Sequence, residues 1–332
     1  MPNQRKIWID TTRGLCMLAI LLHHTEMYYA KEAIIDYRLF VDNALSIFFF
    51  VSGYLFYKES TCTTFSIKRK IKSIIKTIII PYFIFMSFIA YPKAIVHGNF
   101  HSIFEILLKI LTGRESWFIT ALATAEIIFS LLLHLSKRNK WILTLGVAAF
   151  LITAIMMEEN ILTIKYNYWN IMDGCLAITF LYIGYLYHRY EAVLSNINLM
   201  SMTIVPVLML LSKYIIVSKQ IYCYWGPIDI SNYIIFFTDN ILAIILIITI
   251  SKRLPNIKPI TWMGSRALVY YFLCGGVPLI LSIIAQKVGF IYEDCYLKVI
   301  FMLSLVYIVI STLTWIIYKY IPWTTGKFTW KR

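Results

Sequence analysis

The chain has 332 residues, 60% of them hydrophobic and only 14% charged. A soluble domain runs nearer half apolar and a quarter charged, so this composition excludes an ordinary soluble fold and reads as an integral membrane protein. The formal net charge of +14 does not require nucleic acid, because basic residues held in cytoplasmic loops by the positive-inside rule account for it; no nucleic-acid partner is expected.

Taking ~20 apolar residues per span, the chain divides into about ten helices. In order they cover 7–29, 39–57, 74–92, 116–135, 141–157, 171–188, 200–217, 231–250, 262–285 and 297–318, with 101–115 as a further interfacial candidate. The fold expected is all-α, a polytopic membrane helix bundle in contact with lipid, forming a single membrane-embedded domain over 1–332. No internal repeat or low-complexity tract interrupts it. Most of the Lys and Arg lie on one set of loops: Arg5 and Lys6, the run Lys58 to Lys76, Lys137 to Lys140, Arg189, Lys252 to Lys258, and the tail from Lys319. The opposite loops hold fewer cations, such as Lys31, Lys213 and Lys287, and collect acids including Glu32, Asp36, Glu293 and Asp294. This bias places both termini in the cytoplasm, as an even number of spans requires.

The first span is unusual. Within RKIWIDTTRGLCMLAILLHHTEMYY it carries Asp10, Arg13, His23, His24 and Glu26, and ionisable groups at membrane depth are costly and face a cavity or a partner. At ~100° per residue, Arg13 and His24 fall within ~20° of one face, Asp10 lies near both, and His23 points ~80° away from that line. Arg13 and His24 are then ~16 Å apart in depth. An imidazole suits proton transfer near neutral pH, a guanidinium suits an anion, and Gly14 admits close approach of a backbone or ligand. A charged helix start with a structural histidine, Asp10 simply pairing with Arg13, is the competing reading.

The stretch SIKRKIKSIIK, 66–76, precedes Pro81-Tyr82. It reads either as a lipid-facing basic loop or as a polyphosphate clamp. In the second reading Arg69 and Lys72, three apart, share one helical face and hold one anion, for example a nucleotide-bearing thioester donor, with Lys68, Lys70 and Lys76 as lesser candidates. In IFFFVSGYLF the Ser and Gly suit close helix packing. Glu126 and Asp239 are buried-carboxylate candidates inside later spans, Trp117-Phe118 reads as an interfacial anchor, and Arg266 as a snorkelling end residue. The cysteines Cys16, Cys62, Cys175, Cys223, Cys274 and Cys295 show no metal spacing, and no metal is expected; a Cys223–Cys295 pairing is left open. No Walker, Rossmann, HExxH or GxSxG motif occurs.

The opening IDTTRGLCMLAILLHH resembles the first helix of the bacterial acyltransferase 3 family of membrane O-acyltransferases, with Asp10, Arg13, Gly14 and His24 in register and His23 out of it. IFFFVSGYLF, IKRKIKSIIKTIIIPY, SWFITAL, FLYIGYL and WMGSRALVYYFL resemble further family motifs in the same order, and the second-span and basic motifs look closest to the fucose 4-O-acetylase-like branch. Two departures are Lys72, where many members have Arg, and Cys274, where many have His.

The resemblance implies transfer of an acyl group, usually acetyl, from cytoplasmic acyl-CoA to a hydroxyl of a surface polysaccharide or lipid-linked glycan, at the bacterial inner membrane. On that reading Arg69, Lys72 and Arg13 hold the phosphates of acetyl-CoA. His24 is the general base, Asp10 anchors Arg13, and Glu26, Glu126 or Asp239 orients the histidine. The alternative function is a transporter of an acylated metabolite or glycan precursor, using the same polar row as a path without covalent transfer.

Overall fold

The computed structural model describes residues 6–29, 35–57, 66–96, 102–137, 139–163, 165–194, 198–290 and 295–326. Cys62 and the charges Arg5, Lys31, Glu32, Lys58, Arg138, Glu293, Asp294, Lys327, Lys331 and Arg332 lie outside these residues. The described residues are almost all helical. In order they form α1 (Ile7–Tyr29), α2 (Val41–Phe56), α3 (Ile67–Ile74), α4 (Ile80–Val96), α5 (Ile103–Leu111), α6 (Trp117–Leu135) and α7 (Lys140–Glu158). These are followed by α8 (Ile171–Arg189), α9 (Glu191–Leu194), α10 (Asn198–Ser218), the two-residue strands β1 (Cys223–Tyr224) and β2 (Asp229–Ile230), and α11 (Tyr233–Arg253). The chain continues through α12 (Lys258–Gly264), α13 (Ala267–Leu273), α14 (Gly276–Lys287) and α15 (Tyr296–Tyr320).

Each of the ten expected spans falls on a helix or a group of helices, so the all-α polytopic bundle holds. By length and apolarity six segments of the described chain are long enough to cross a bilayer: Ile67–Ala94, Trp117–Leu135, Lys140–Glu158, Tyr168–Arg189, Tyr233–Arg253 and Tyr296–Tyr320. The pair α13 and α14, bent by 44°, makes a seventh. The remaining three expected spans differ in kind. α1 is 23 residues long but carries the charges already named, while Val41–Phe56 and Met202–Ser218 are apolar but short.

Two expected boundaries change. The basic stretch is not a loop ahead of the third span; it is the first turns of that span's helix. Ser66 caps it by accepting the Arg69 N–H, and a π-turn over Ile75–Ile79 joins α3 to α4. The ninth span is not continuous: it breaks after Gly264 and again at Cys274-Gly275. Segment 101–115 yields α5, only nine residues long, with a capping box from Ser102 and Glu105. Its Ile106 and Ile110 are buried while Phe104, Leu107, Leu108 and Leu111 are exposed, which is the pattern of an interfacial helix.

The chain falls into two compact units. The first comprises Met1–Phe48, Ile197–Cys223 and Ile230–Pro322; the second comprises Phe49–Asn196, Tyr224–Asp229 and Trp323–Arg332. In the first unit α1 is the central helix, packed by α11, α12, α13, α14 and α15, while α10 packs on α11. Ala285, Val299 and Met302 form an apolar cluster with Leu22, Leu281 and Phe290 against it. In the second unit α6 and α7 pack on α8, α3 packs on α6, and α5 packs on α4. There an aromatic core joins Phe49 to Phe118 and Trp225 at 5.1 and 5.2 Å between ring centres.

Candidate functional site

The polar row of α1 is positioned by glycine. A Cβ on Gly14 would come within 2.2 Å of the Ile260 carbonyl oxygen, and one on Gly264 within 1.8 Å of the Asp10 carbonyl oxygen. Two backbones therefore touch where α1 meets α12, at a distance only glycine on both sides allows. This fixes the rotation of α1 and hence the direction of Arg13 and His24. Gly14 admits a backbone here. Trp8, at the start of α1, is covered by the Lys252 ammonium at 5.1 Å.

At the other end of α1 the two histidines separate as the helix phase predicts. His23 is packed against Tyr37 edge-on at 5.1 Å and against Phe40 at 6.5 Å; it serves as an aromatic packing residue. His24 is half-buried, one step (~100°) further round the helix. Glu26 is fully buried. One oxygen accepts the Ile35 N–H at 2.8 Å, and the other has no hydrogen-bond partner among the described residues. Two residues from His24, Glu26 projects ~160° from it, so it ties down the chain that follows α1 and does not share the histidine's face.

Asp239 is committed elsewhere in the same unit. It accepts from the Lys213 ammonium and the Ser212 hydroxyl, each at 2.6 Å, and from the Asn43 amide at 2.8 Å. Lys213 spends its other two protons on the Asn43 side-chain oxygen at 2.7 Å and the Arg38 carbonyl at 2.9 Å. Every donor and acceptor of this ion pair is matched inside a buried cluster, which is the condition for keeping charge there. Just before it, Asp36 caps a short turn and holds Arg38 through both carboxylate oxygens, which keeps its carboxyl below the usual range.

In the second unit the basic stretch divides by face. Lys68, Arg69 and Lys72 are exposed, and among the described residues none carries an ion pair. Arg69 and Lys72 lie ~60° apart on the helix, an open cationic face. Lys70 turns inward: its ammonium meets Glu126 at 2.9 Å and sits 3.7 Å from the Phe56 ring centre. The other oxygen of Glu126 accepts the Ser52 hydroxyl at 2.5 Å. Glu126 is thus occupied by Ser52 and Lys70.

Several groups were not singled out from sequence. His188 stacks on Tyr54 at 3.9 Å and 8°, with Nδ1 2.7 Å from the Tyr54 carbonyl oxygen. It follows Gly184 by four residues, the helical spacing that would have put it on the α2-facing side. Asp173, fully buried in the first turn of α8, accepts from the Asn167 amide at 3.0 Å and the Gly226 N–H at 3.2 Å. Trp117, expected as an interfacial anchor, stacks on Trp225 at 6.4 Å. Cys223 and Cys295 are both free thiols. No group of three or more His, Cys, Asp or Glu with the geometry of a metal site occurs among the described residues.

The family model Acyl_transf_3, an acyltransferase domain, matches residues 6–324, nearly the whole chain. The chain belongs to the acyltransferase 3 family. No curated protein and no solved structure matches it. It is therefore a multi-pass membrane acyltransferase, and the motifs of this acyltransferase acquire physical reasons. The glycine of IFFFVSGYLF, Gly53, would put a Cβ 1.8 Å from the Leu181 carbonyl oxygen, and the glycine of FLYIGYL, Gly184, one 1.9 Å from that of Phe50. The two motifs are one helix contact seen from both sides. Tyr82 of the Pro-Tyr pair donates to the Ile110 carbonyl at 2.9 Å and pins the end of α5. Arg266 of the late motif lies between the rings of Trp262 and Tyr318, 4.4 and 5.1 Å from their centres, so its guanidinium is clasped between two aromatic faces.

Proposed function

We propose that this acyltransferase moves an acetyl group from cytoplasmic acetyl-CoA to a hydroxyl of a surface polysaccharide or its lipid-linked precursor, in the bacterial inner membrane, as the fucose 4-O-acetylase-like resemblance suggests. The observation that carries the reading is the first helix. A half-buried imidazole and a guanidinium share one face of a helix whose rotation is fixed by glycine contacts, in a chain of a membrane acyltransferase family. A second observation supports the donor: three exposed cations on α3 that carry no ion pair among the described residues suit the several phosphate charges of a coenzyme A thioester.

In this reading His24 takes the proton of the acceptor hydroxyl as its oxygen attacks the thioester carbonyl. The tetrahedral intermediate collapses with cleavage of the carbon–sulfur bond, and the thiolate leaves as coenzyme A after receiving a proton from the imidazolium. Arg69 and Lys72 hold phosphate, and Asp10 orients Arg13. Acetyl-CoA is a co-substrate, and no metal takes part.

Membranes containing the protein and its glycan acceptor, supplied with acetyl-labelled coenzyme A thioester, should move the label into glycan. Label that crosses or stays outside the membrane without becoming covalently attached would overturn the proposal and favour transport.

A further inference from the structure

We propose that the Lys70–Glu126 ion pair, backed by Ser52, is the device that presents the Arg69/Lys72 face of α3 to the phosphates of the acyl donor. Lys70 and Glu126 are then positioning residues for donor binding. This rests on the donor-site reading given above and deepens it.

α3 is the cationic N-terminal end of the third span's helix. It is eight residues long and carries four cations, Lys68, Arg69, Lys70 and Lys72. It is the start of one continuous helix running Ile67–Ala94, and neighbouring like charges oppose helix at this exposed end. Its only buried side chain is Ile74, at the C-terminal end. Three of the four cations sit in the N-terminal half, and there Lys70 ties the helix to its neighbours. That single ammonium is gripped from two other helices: by the Glu126 carboxylate of α6 at 2.9 Å and by the Phe56 ring of α2 at 3.7 Å.

Geometry links this grip to the anion face. Lys70 projects ~130° from the line midway between Arg69 and Lys72. Drawing Lys70 into the unit therefore turns the other two outward, and any rotation of α3 that released Lys70 would swing them away. The grip is also specific in charge. Glu126 is buried, and a buried carboxylate needs a matched partner. Ser52 satisfies one oxygen at 2.5 Å, which leaves the other for an ammonium. A cation above an aromatic face adds a second attraction at the same point. Three separate motifs thus converge on one bond: the Ser-Gly pair of α2, the basic stretch, and the helix that follows Trp117-Phe118.

The test uses the full chain in detergent, with coenzyme A titrated as the probe and acetyl-CoA as the varied substrate. Glu126→Gln and Lys70→Met should each weaken coenzyme A binding and raise the KM for acetyl-CoA by about tenfold. Under saturating donor, kcat should fall by less than about threefold, because the chemistry is intact. Lys70→Arg, which keeps the charge and the reach, should recover most of the affinity. Ser52→Ala, which leaves no charge unpaired, should raise KM by about threefold and decides the matter if the charge variants fail to accumulate. Arg69→Ala with Lys72→Ala is the reference. If that double variant binds coenzyme A poorly while Glu126→Gln, Lys70→Met and Ser52→Ala bind it normally, the positioning role is overturned. A fall in kcat at unchanged KM would also overturn it, by placing Glu126 in the chemistry. If the double variant itself binds normally, the donor-site reading fails instead.

Discussion

A lysine buried among apolar helices is tolerated when each of its protons is taken, and Lys213 meets that condition through Asp239, Asn43 and the Arg38 carbonyl. Lys213→Met would strand the Asp239 carboxylate in the interior and should destabilise the protein by about 3–5 kcal/mol, the cost of breaking a buried pair from one side. Lys213→Met combined with Asp239→Leu should recover much of that loss, because no charge is then left alone. Thermal unfolding in detergent reads both. From sequence, Asp239 is visible as a carboxylate in an apolar run, but Lys213 reads as one more outer-loop cation, since a single chain does not reveal which helices are neighbours. The same limit hides Lys70: the basic stretch is legible as charge, and the outward Arg69/Lys72 face follows from helical spacing. Glu126, however, 56 residues beyond Lys70, is fixed as its partner only by the packing of α3 on α6. His24 and His23, in contrast, separate on helix phase alone, and the rings of Tyr37 and Phe40 around His23 agree with that separation.

At the scale of elements, helix placement follows from glycine notches. Gly14→Ala, Gly264→Ala, Gly53→Ala or Gly184→Ala each puts a methyl group within 2.3 Å of a backbone carbonyl oxygen, and backbone cannot step aside as a side chain can. Each should cost about 1–3 kcal/mol or more by overpacking. Gly146→Ala is the contrast, because its closest neighbour is the tip of Leu132, and its effect on the unfolding midpoint should be small. These notches are legible as glycines within apolar spans, but which helix fills each is not. The broken ninth span shows the opposite difficulty. Its residues are mostly apolar, so hydropathy joins 262–285 into one helix, while Ser265-Arg266 and Gly275-Gly276 mark the breaks. The glycine pair was the available signal, since glycine in a helix interior costs about 1 kcal/mol relative to alanine.

At the scale of the molecule, the chain builds two units from interleaved segments: one centred on α1 with Arg13 and His24, the other carrying the cationic face of α3. The sequence, with no internal repeat or low-complexity tract between its spans, offers no linker by which to see that division. The positive-inside bias predicts that both termini are cytoplasmic; a reporter active only in the cytoplasm should work when fused at either end, and activity of a periplasm-dependent reporter there would reverse the topology. The acyl-transfer account depends most on His24 as the base. Membranes carrying wild-type, His24→Ala or His23→Ala protein should be given labelled acetyl-CoA and the label in glycan measured. His24→Ala is predicted to lower the rate by about 100-fold or more, the usual contribution of a positioned base, with His23→Ala retaining most of the wild-type rate. Near wild-type labelling by His24→Ala would contradict the account.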